Sequence, residues 1–369
     1  MPWICQCRRH RHRFCYAELD LLDFSQEDRD RASRYHRPLY AAAVVRLVLV
    51  LAVFAAFTLL SLGGLGWLSD AVVWAVVVLA AASVAALPFD LWRGLVRERR
   101  FGLSTQTLRG WLVDRAKGEA IELVLAGVAW GAAIALVHAF PRWWPLPAAA
   151  ALALFVLLMS FVAPVVLEPV FNRFRPLEDE RLAAELHALA ERAGVPVRDV
   201  LVADASRRTT RTNAYVSGLG PTRRVVVWDT LLADAGEPEL KLIVAHELGH
   251  RRDRHVLKGT LLGMAGAAAL VLLLWAALGT PAPSDFPRAA LLFTGVELVA
   301  LPLLAAISRR WERAADRWSL ELTGDREAFV RAHVSLARKN LSDLEPPRLA
   351  YLMLFTHPTP PERLALARR

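Results

Sequence analysis

Two histidines four residues apart, with a glutamate directly after the first, stand at His246-Glu247-Leu248-Gly249-His250. On a helix, residues four apart share a face. Both imidazoles can then reach one Zn²⁺ at about 2.0–2.1 Å. Glu247 sits beside the first ligand, where its carboxylate can take a proton from a zinc-bound water. The pattern points to one zinc ion per chain and to hydrolysis. A catalytic zinc also needs a third protein ligand and an open position for water. Glu312 stands out downstream because Asp316 follows it four residues later. The stretch 308–316 reads as a helix, which puts both carboxylates on one face. Glu312 can bind the zinc while Asp316 holds the other ring nitrogen of one histidine. The chemistry that fits is amide hydrolysis, with Glu247 as general base. A nearby histidine or arginine would steady the oxyanion. His357 and Arg363 are candidates, although from spacing alone they read as a loop histidine and a surface arginine.

The elements that must position these residues are largely membrane helices. The chain has 369 residues, 55% of them hydrophobic, yet 22% are charged. Mean hydropathy is +0.32, too apolar for an ordinary soluble domain. Apolar residues must therefore be gathered in blocks. Six blocks are long enough to span about 30 Å of hydrocarbon: 40–60, 71–89, 120–140, 146–166, 256–278 and 289–307. The net charge of +9 then reads as anchoring loops at a lipid bilayer, and no nucleic-acid motif is present. Only four of the 45 basic residues are lysine, a bias that suggests a GC-rich, bacterial genome.

Arginine placement gives an orientation. Arg29, Arg31, Arg34 and Arg37 precede the first span, and Arg93, Arg97, Arg99, Arg100, Arg109, Arg115 and Lys117 follow the second. The region between the fourth and fifth spans and the stretch after the sixth are also arginine-rich. The short first, third and fifth connections carry no basic residue, Arg142 and Arg288 respectively. By the positive-inside rule, both termini and the zinc motif face the cytoplasm. Arg46 lies within the first span, where it is expected to snorkel outward. Glu297 lies deeper in the sixth, a functional suspect or a hydrogen-bonded residue between helices. Cys5, Cys7 and Cys15, with His10 and His12, could make a small metal site, and the plainer reading is a disordered basic tail; the segment lacks the apolar core of a signal peptide.

The organisation expected is a basic cytoplasmic tail (1–38), a four-span membrane unit (39–167), a cytoplasmic α/β unit carrying the zinc helix (168–255), a transmembrane hairpin (256–307) and cytoplasmic C-terminal helices with the third ligand (308–369). Inside the α/β unit, Leu182, Leu186, Leu189 and Ala193 mark one helix face that Gly194 can cap. Residues 197–202, 212–217 and 224–228 read as strands, the last two forming a hairpin across Gly218-Leu219-Gly220-Pro221. Asp229 suits an N-cap, and Pro238 suits the first turn of the zinc helix. Lys241, Arg251, Arg252 and Asp253 flank the motif, so that helix lies in water or a polar cavity. The antiparallel hairpin of the last two spans would return Glu312 to the surface that holds His246 and His250.

His246–His250 with Glu312 and Asp316 resembles the gluzincin pattern of the integral-membrane, zinc-dependent CAAX prenyl endopeptidases of type I. Leu87-Pro88-Phe89, Phe101-Gly102-Leu103-Ser104, Pro169-Val170-Phe171-Asn172, Asn213-Ala214-Tyr215, Asp229-Thr230-Leu231 and His357-Pro358 with Arg363 fit the same family. The fold class implied is mainly α, a polytopic membrane protein with about six transmembrane helices and a small cytoplasmic gluzincin unit. The resemblance implies His246, His250 and Glu312 as zinc ligands, Glu247 as base and Asp316 as support or proton donor. It places Asn213 and Ala214 on an edge strand that pairs with an extended peptide or membrane-protein substrate. His357 and Arg363 would line the cleft, and the membrane helices would enclose a large chamber. The chain has six spans where the larger eukaryotic members have seven. Membrane heat-shock metalloproteases share the zinc pattern, so a quality-control role is the alternative. An intramembrane site-2-type protease fits less well, because it places its motif in an apolar helix. A non-enzymatic scaffold has no use for Glu247.

Overall fold

The computed structural model describes residues 23–60, 66–218 and 220–368. The cysteine-containing tail lies outside the described residues. Six helices are long and apolar enough to cross a membrane. We label the first four α1 (Gln26–Thr58), α2 (Trp67–Arg100), α3 (Leu108–Ala139) and α4 (Pro145–Phe171). The last two are α8 (His255–Leu278) and α9 (Phe286–Thr323). Their surfaces invert the soluble pattern: Val44, Val48, Leu146, Leu154, Val299 and Leu303 are all more than half exposed. Such faces are stable only against hydrocarbon, and the protein is a polytopic membrane protein. α1 starts at Gln26, so the arginines before the first span ride on the same helix.

Three tryptophans pin the short connection between α8 and α9. Trp74 in α2, Trp130 in α3 and Trp144 ahead of α4 donate their indole N–H groups to the carbonyls of Ser284, Pro283 and Gly279, at 2.9, 3.0 and 3.1 Å. The indoles thereby fix the far end of the hairpin. Arg46 departs from the snorkelling expectation. Its guanidinium binds both oxygens of Asp90 at 2.8 and 3.3 Å, and Arg115 approaches the same carboxylate at 3.6 Å. A buried acid within reach is a better partner than a distant head group. The helices enclose a largely apolar chamber of about 900 Å³, into which Arg46, Arg115, Glu122 and Glu297 project. Glu297 makes no hydrogen bond among the described residues.

Between α4 and α8 the chain folds a small α/β unit. Strands β1 (Phe174–Pro176), β2 (Asp199–Ala203), β3 (Ala214–Ser217) and β4 (Arg224–Trp228) form one sheet in the order β1-β2-β4-β3. β2 and β4 run parallel, and the β3–β4 hairpin is antiparallel, pairing Ser217 with Arg224. Its turn requires glycine at 218, where φ is +77° and an added Cβ would meet the Thr222 carbonyl oxygen at 2.2 Å. Helix α5 (Glu180–Arg192) buries Leu186 and Leu189 on the sheet, with Ala193 just beyond its end. α6 (Asp229–Asp234) and α7 (Glu237–Arg252) follow β4. Asp229 is the first residue of α6, not its cap. Its carboxylate accepts from the N–H and hydroxyl of Ser206 at 2.9 and 2.5 Å, which tethers the loop leading to β3. Pro238 occupies the first turn of α7 as expected.

The C-terminal helices α10 (Arg326–Lys339), α11 (Arg348–Leu354) and α12 (Pro360–Ala367) close over α7 and α9. Phe329 of α10 joins Val225, Val227, Leu242 and Leu248 in one core. Each such side chain contributes about 1.5–3 kcal/mol on burial. Membrane and soluble parts are tied by Arg211, which meets Glu98 of α2 at 3.1 Å and donates to the Tyr35 hydroxyl of α1 at 2.9 Å.

Candidate metal centre

His246 and His250 lie one turn apart on α7. Gly249, between them, is where α7 touches α9. A Cβ at Gly249 would stand 3.3 Å from the Cα of Ala315. Two small residues let the helix backbones approach closely. The residues one turn apart around Ala315, Glu312 and Asp316, are thereby delivered to the two histidines. His246 Nε2 lies 3.2 Å from His250 Nε2 and 3.2 Å from Glu312 Oε2, and His250 Nε2 lies 3.3 Å from Glu312 Oε1. All three residues can offer one donor atom within 4.8 Å of the others.

These distances suit a cation. Bonds of 2.0–2.1 Å in a tetrahedron separate ligand atoms by about 3.3 Å. Glu312 Oε2 is moreover buried without a hydrogen-bond partner, although it faces His246 Nε2. In the neutral ring that nitrogen has no proton to give, because the one proton sits on Nδ1, which donates to Asp316 Oδ1 at 2.9 Å. Buried lone pairs thus face one another across a gap, at a cost that a metal removes. Burial disfavours charge on His246, yet Asp316 and Glu312 outweigh it and raise its pKa to about 9. The pocket attracts positive charge, and a proton is the simplest form of it.

Asp316 is almost fully buried and also binds the guanidinium of Arg363 from α12, with Nε donating to Oδ2 at 2.9 Å. Arg363 therefore spends its fork on Asp316, while its Nη2 comes within 3.3 Å of His246 Nδ1. His357, just ahead of α12, brings Nε2 to 3.3 Å from Glu312 Oε1 and leaves 58% of its side chain exposed. Burial holds the Glu247 carboxyl above its ordinary pKa, against the pull of His246 and His250. It makes no hydrogen bond or ion pair among the described residues. Glu247, Asn213, His357 and Arg363 line one cleft of about 460 Å³. Asn213 is exposed there, whereas Ala214 is buried behind it.

Sequence reasoning missed two histidines. His333 of α10 is buried, donates Nδ1–H to the Phe329 carbonyl at 2.8 Å and points Nε2 toward Asp316 Oδ1 at 3.7 Å. Burial and Arg363 keep it below its ordinary pKa. His255 meets His250 at the start of α8. Five of the ten histidines thus gather here, a concentration that the spacing in the chain conceals.

Removing the acidic donor must open the site. Glu312→Ala should lose bound metal on purification, measured by elemental analysis, whereas Glu247→Gln should keep it. Gly249→Val, which forces α7 off α9, should also lose metal although every donor remains. Full metal retention in Glu312→Ala would remove that residue from the ligand set.

Comparison with known proteins places this geometry. Residues 176–369 match the model of peptidase family M48, and residues 23–173 match the CAAX prenyl protease N-terminal region, described as five membrane helices. The described residues of that region hold four candidate spans. An uncharacterized metalloprotease of Bacillus subtilis, YhfN, is 30% identical over 301 residues, covering 78% of this chain and 70% of its own. CAAX prenyl protease 1 of Saccharomyces cerevisiae is 27% identical over 316 residues, covering 77% of this chain and 68% of its own. The crystal structure of S. mikatae Ste24p superposes with a TM-score of 0.80 at 22% identity, covering 96% of this chain and 92% of that one, which shows a shared fold. With its C-terminal half matched throughout and its metal donors assembled, this chain belongs to peptidase family M48 and is a membrane metalloendopeptidase.

Proposed function

We propose that the protein is a zinc-dependent membrane endopeptidase of the CAAX-prenyl-protease-like type, with Glu247 as general base. The observation that carries this reading is the set of three facing donors with an unpartnered buried Glu312 oxygen, beside a free Glu247 in the same cleft. Two histidines and a carboxylate are a donor set of catalytic zinc sites. His246, His250 and Glu312 would hold the zinc, whose chemistry there would be to acidify water and polarise a carbonyl. Glu247, held above its usual pKa by burial, takes the proton from the attacking water and passes it to the leaving amine. His357 has its ring open to the cleft and is placed to stabilise the developing oxyanion. Asp316, with Arg363 behind it, fixes the ring of His246.

Strand β3 is an edge of the sheet. The Asn213 carbonyl accepts from the Trp228 N–H at 3.0 Å, so strand alternation turns the Ala214 peptide groups to the other side. An extended peptide laid along this edge, beside Asn213, runs past the donors. Substrates are peptides or membrane proteins that reach the cleft from the face to which the arginines anchor the chain. That face is cytoplasmic by the positive-inside rule.

Glu247→Gln should lower kcat by about 10²–10⁴ on a panel of unfolded and prenylated peptides. Wild-type rates from this variant would exclude Glu247 as base. His357→Ala should lower kcat by about 10²–10³ with KM little moved. For orientation, Arg142→Cys in a chain whose three native cysteines are serine should react with an impermeant thiol reagent added outside intact cells. Ser308→Cys should react only after lysis, and the opposite pattern would invert the topology.

A further inference from the structure

We infer that His255 is a positioning residue for the second metal histidine and couples the first turn of membrane helix α8 to the metal centre. The inference rests on the reading of His250 as a metal ligand. His246 has its Nδ1–H held by Asp316, but no carboxylate reaches Nδ1 of His250 among the described residues. His255 Nδ1 lies 2.9 Å from His250 Nδ1 instead. With His250 Nε2 facing the metal donors, its proton belongs on Nδ1 and is donated to His255. His255 must then accept through Nδ1 and carry its own proton on Nε2.

Two features hold His255 in that role. It is buried, with its ring stacked on the indole of Trp311 at 4.9 Å and an interplanar angle of 10°. Trp311 is the residue before Glu312, so one stack joins the supports of two metal donors on different helices. The second feature is Arg254, which has φ +55° and ψ 34°, a left-handed conformation uncommon for a residue with a side chain. This residue is the break between α7 and α8. On a straight continuation of α7, five steps of about 100° would set position 255 about 140° round the helix from His250 and away from its ring. The left-handed turn folds the chain back and sets the imidazole against its neighbour five residues earlier. The strain is retained where it orients a metal donor.

Two variants separate orientation from packing. His255→Phe keeps a ring over Trp311 but removes the acceptor. His255→Asn places a carbonyl oxygen near the position of Nδ1 but loses the stack. Zinc affinity is read by competition with a chromophoric chelator, alongside the melting temperature of the metal-free protein. His255→Phe should bind zinc about 10–100-fold more weakly, with an unchanged metal-free melting temperature. His255→Asn should stay within about threefold of wild type. Wild-type affinity in His255→Phe, or an equal loss in His255→Asn, would overturn the assignment. Wild-type and Glu312→Ala protein in the same titration test the metal reading itself: if neither binds zinc, that reading fails, and not the role of His255 alone.

Discussion

The contact between Gly249 and Ala315 is the constraint on which the site depends. The three candidate metal donors lie on helices separated by two membrane crossings. They can share one cation only if the helix axes approach to the limit of backbone contact. A Cβ at Gly249 would already stand 3.3 Å from the Cα of Ala315, so a larger side chain must push α9 and Glu312 outward, away from donor separations near 3.3 Å. The five-residue motif therefore encodes two things at once. Its histidines and glutamate are the candidates for chemistry, and its glycine supplies proximity.

Proximity at one end of a long hairpin needs anchorage at the other. The indoles of Trp74, Trp130 and Trp144 provide it by capturing the carbonyls of the connection between α8 and α9. With that end fixed, α9 leaves the apolar layer on a set course, and its continuation past Ser308 carries Glu312 and Asp316 to α7. The soluble unit is fixed against the membrane helices by Arg211, Glu98 and Tyr35. Arg309 acts similarly on the cleft wall. It is buried, lies 4.6 Å from the centre of the Tyr351 ring and donates to the carbonyls of Tyr351 and Phe355, which places the loop bearing His357. Membrane helices here are thus scaffold for a site built at their ends, and they also line a largely apolar chamber.

Much of this was legible in the residues. Spacing of four put His246 with His250 and Glu312 with Asp316 on common helix faces, and the structure joins the two faces. Apolar blocks announced the six spans, and glycines marked the β3–β4 turn. What stayed hidden depends on contacts between distant segments. His333 lies on the helix after that of Asp316, and no spacing rule links residues across the turn between them. His255 falls five residues after His250, a spacing that a continuous helix would not allow and only the left-handed Arg254 makes possible. Asp90 falls one residue past the apolar block at 71–89, and only the fold brings it to Arg46. Asn213 and Ala214 share a strand edge, but only the fold tells which of them stands open.

Whether His246, His250 and Glu312 hold a metal is tested most directly by X-ray absorption at the zinc edge of the purified protein. The expected result is one zinc per chain with nitrogen and oxygen neighbours at about 2.0–2.1 Å and no sulfur. A sulfur shell at about 2.3 Å would assign the metal to Cys5, Cys7 and Cys15 instead. That result, or protein that takes up no zinc, would contradict a site made by His246, His250 and Glu312.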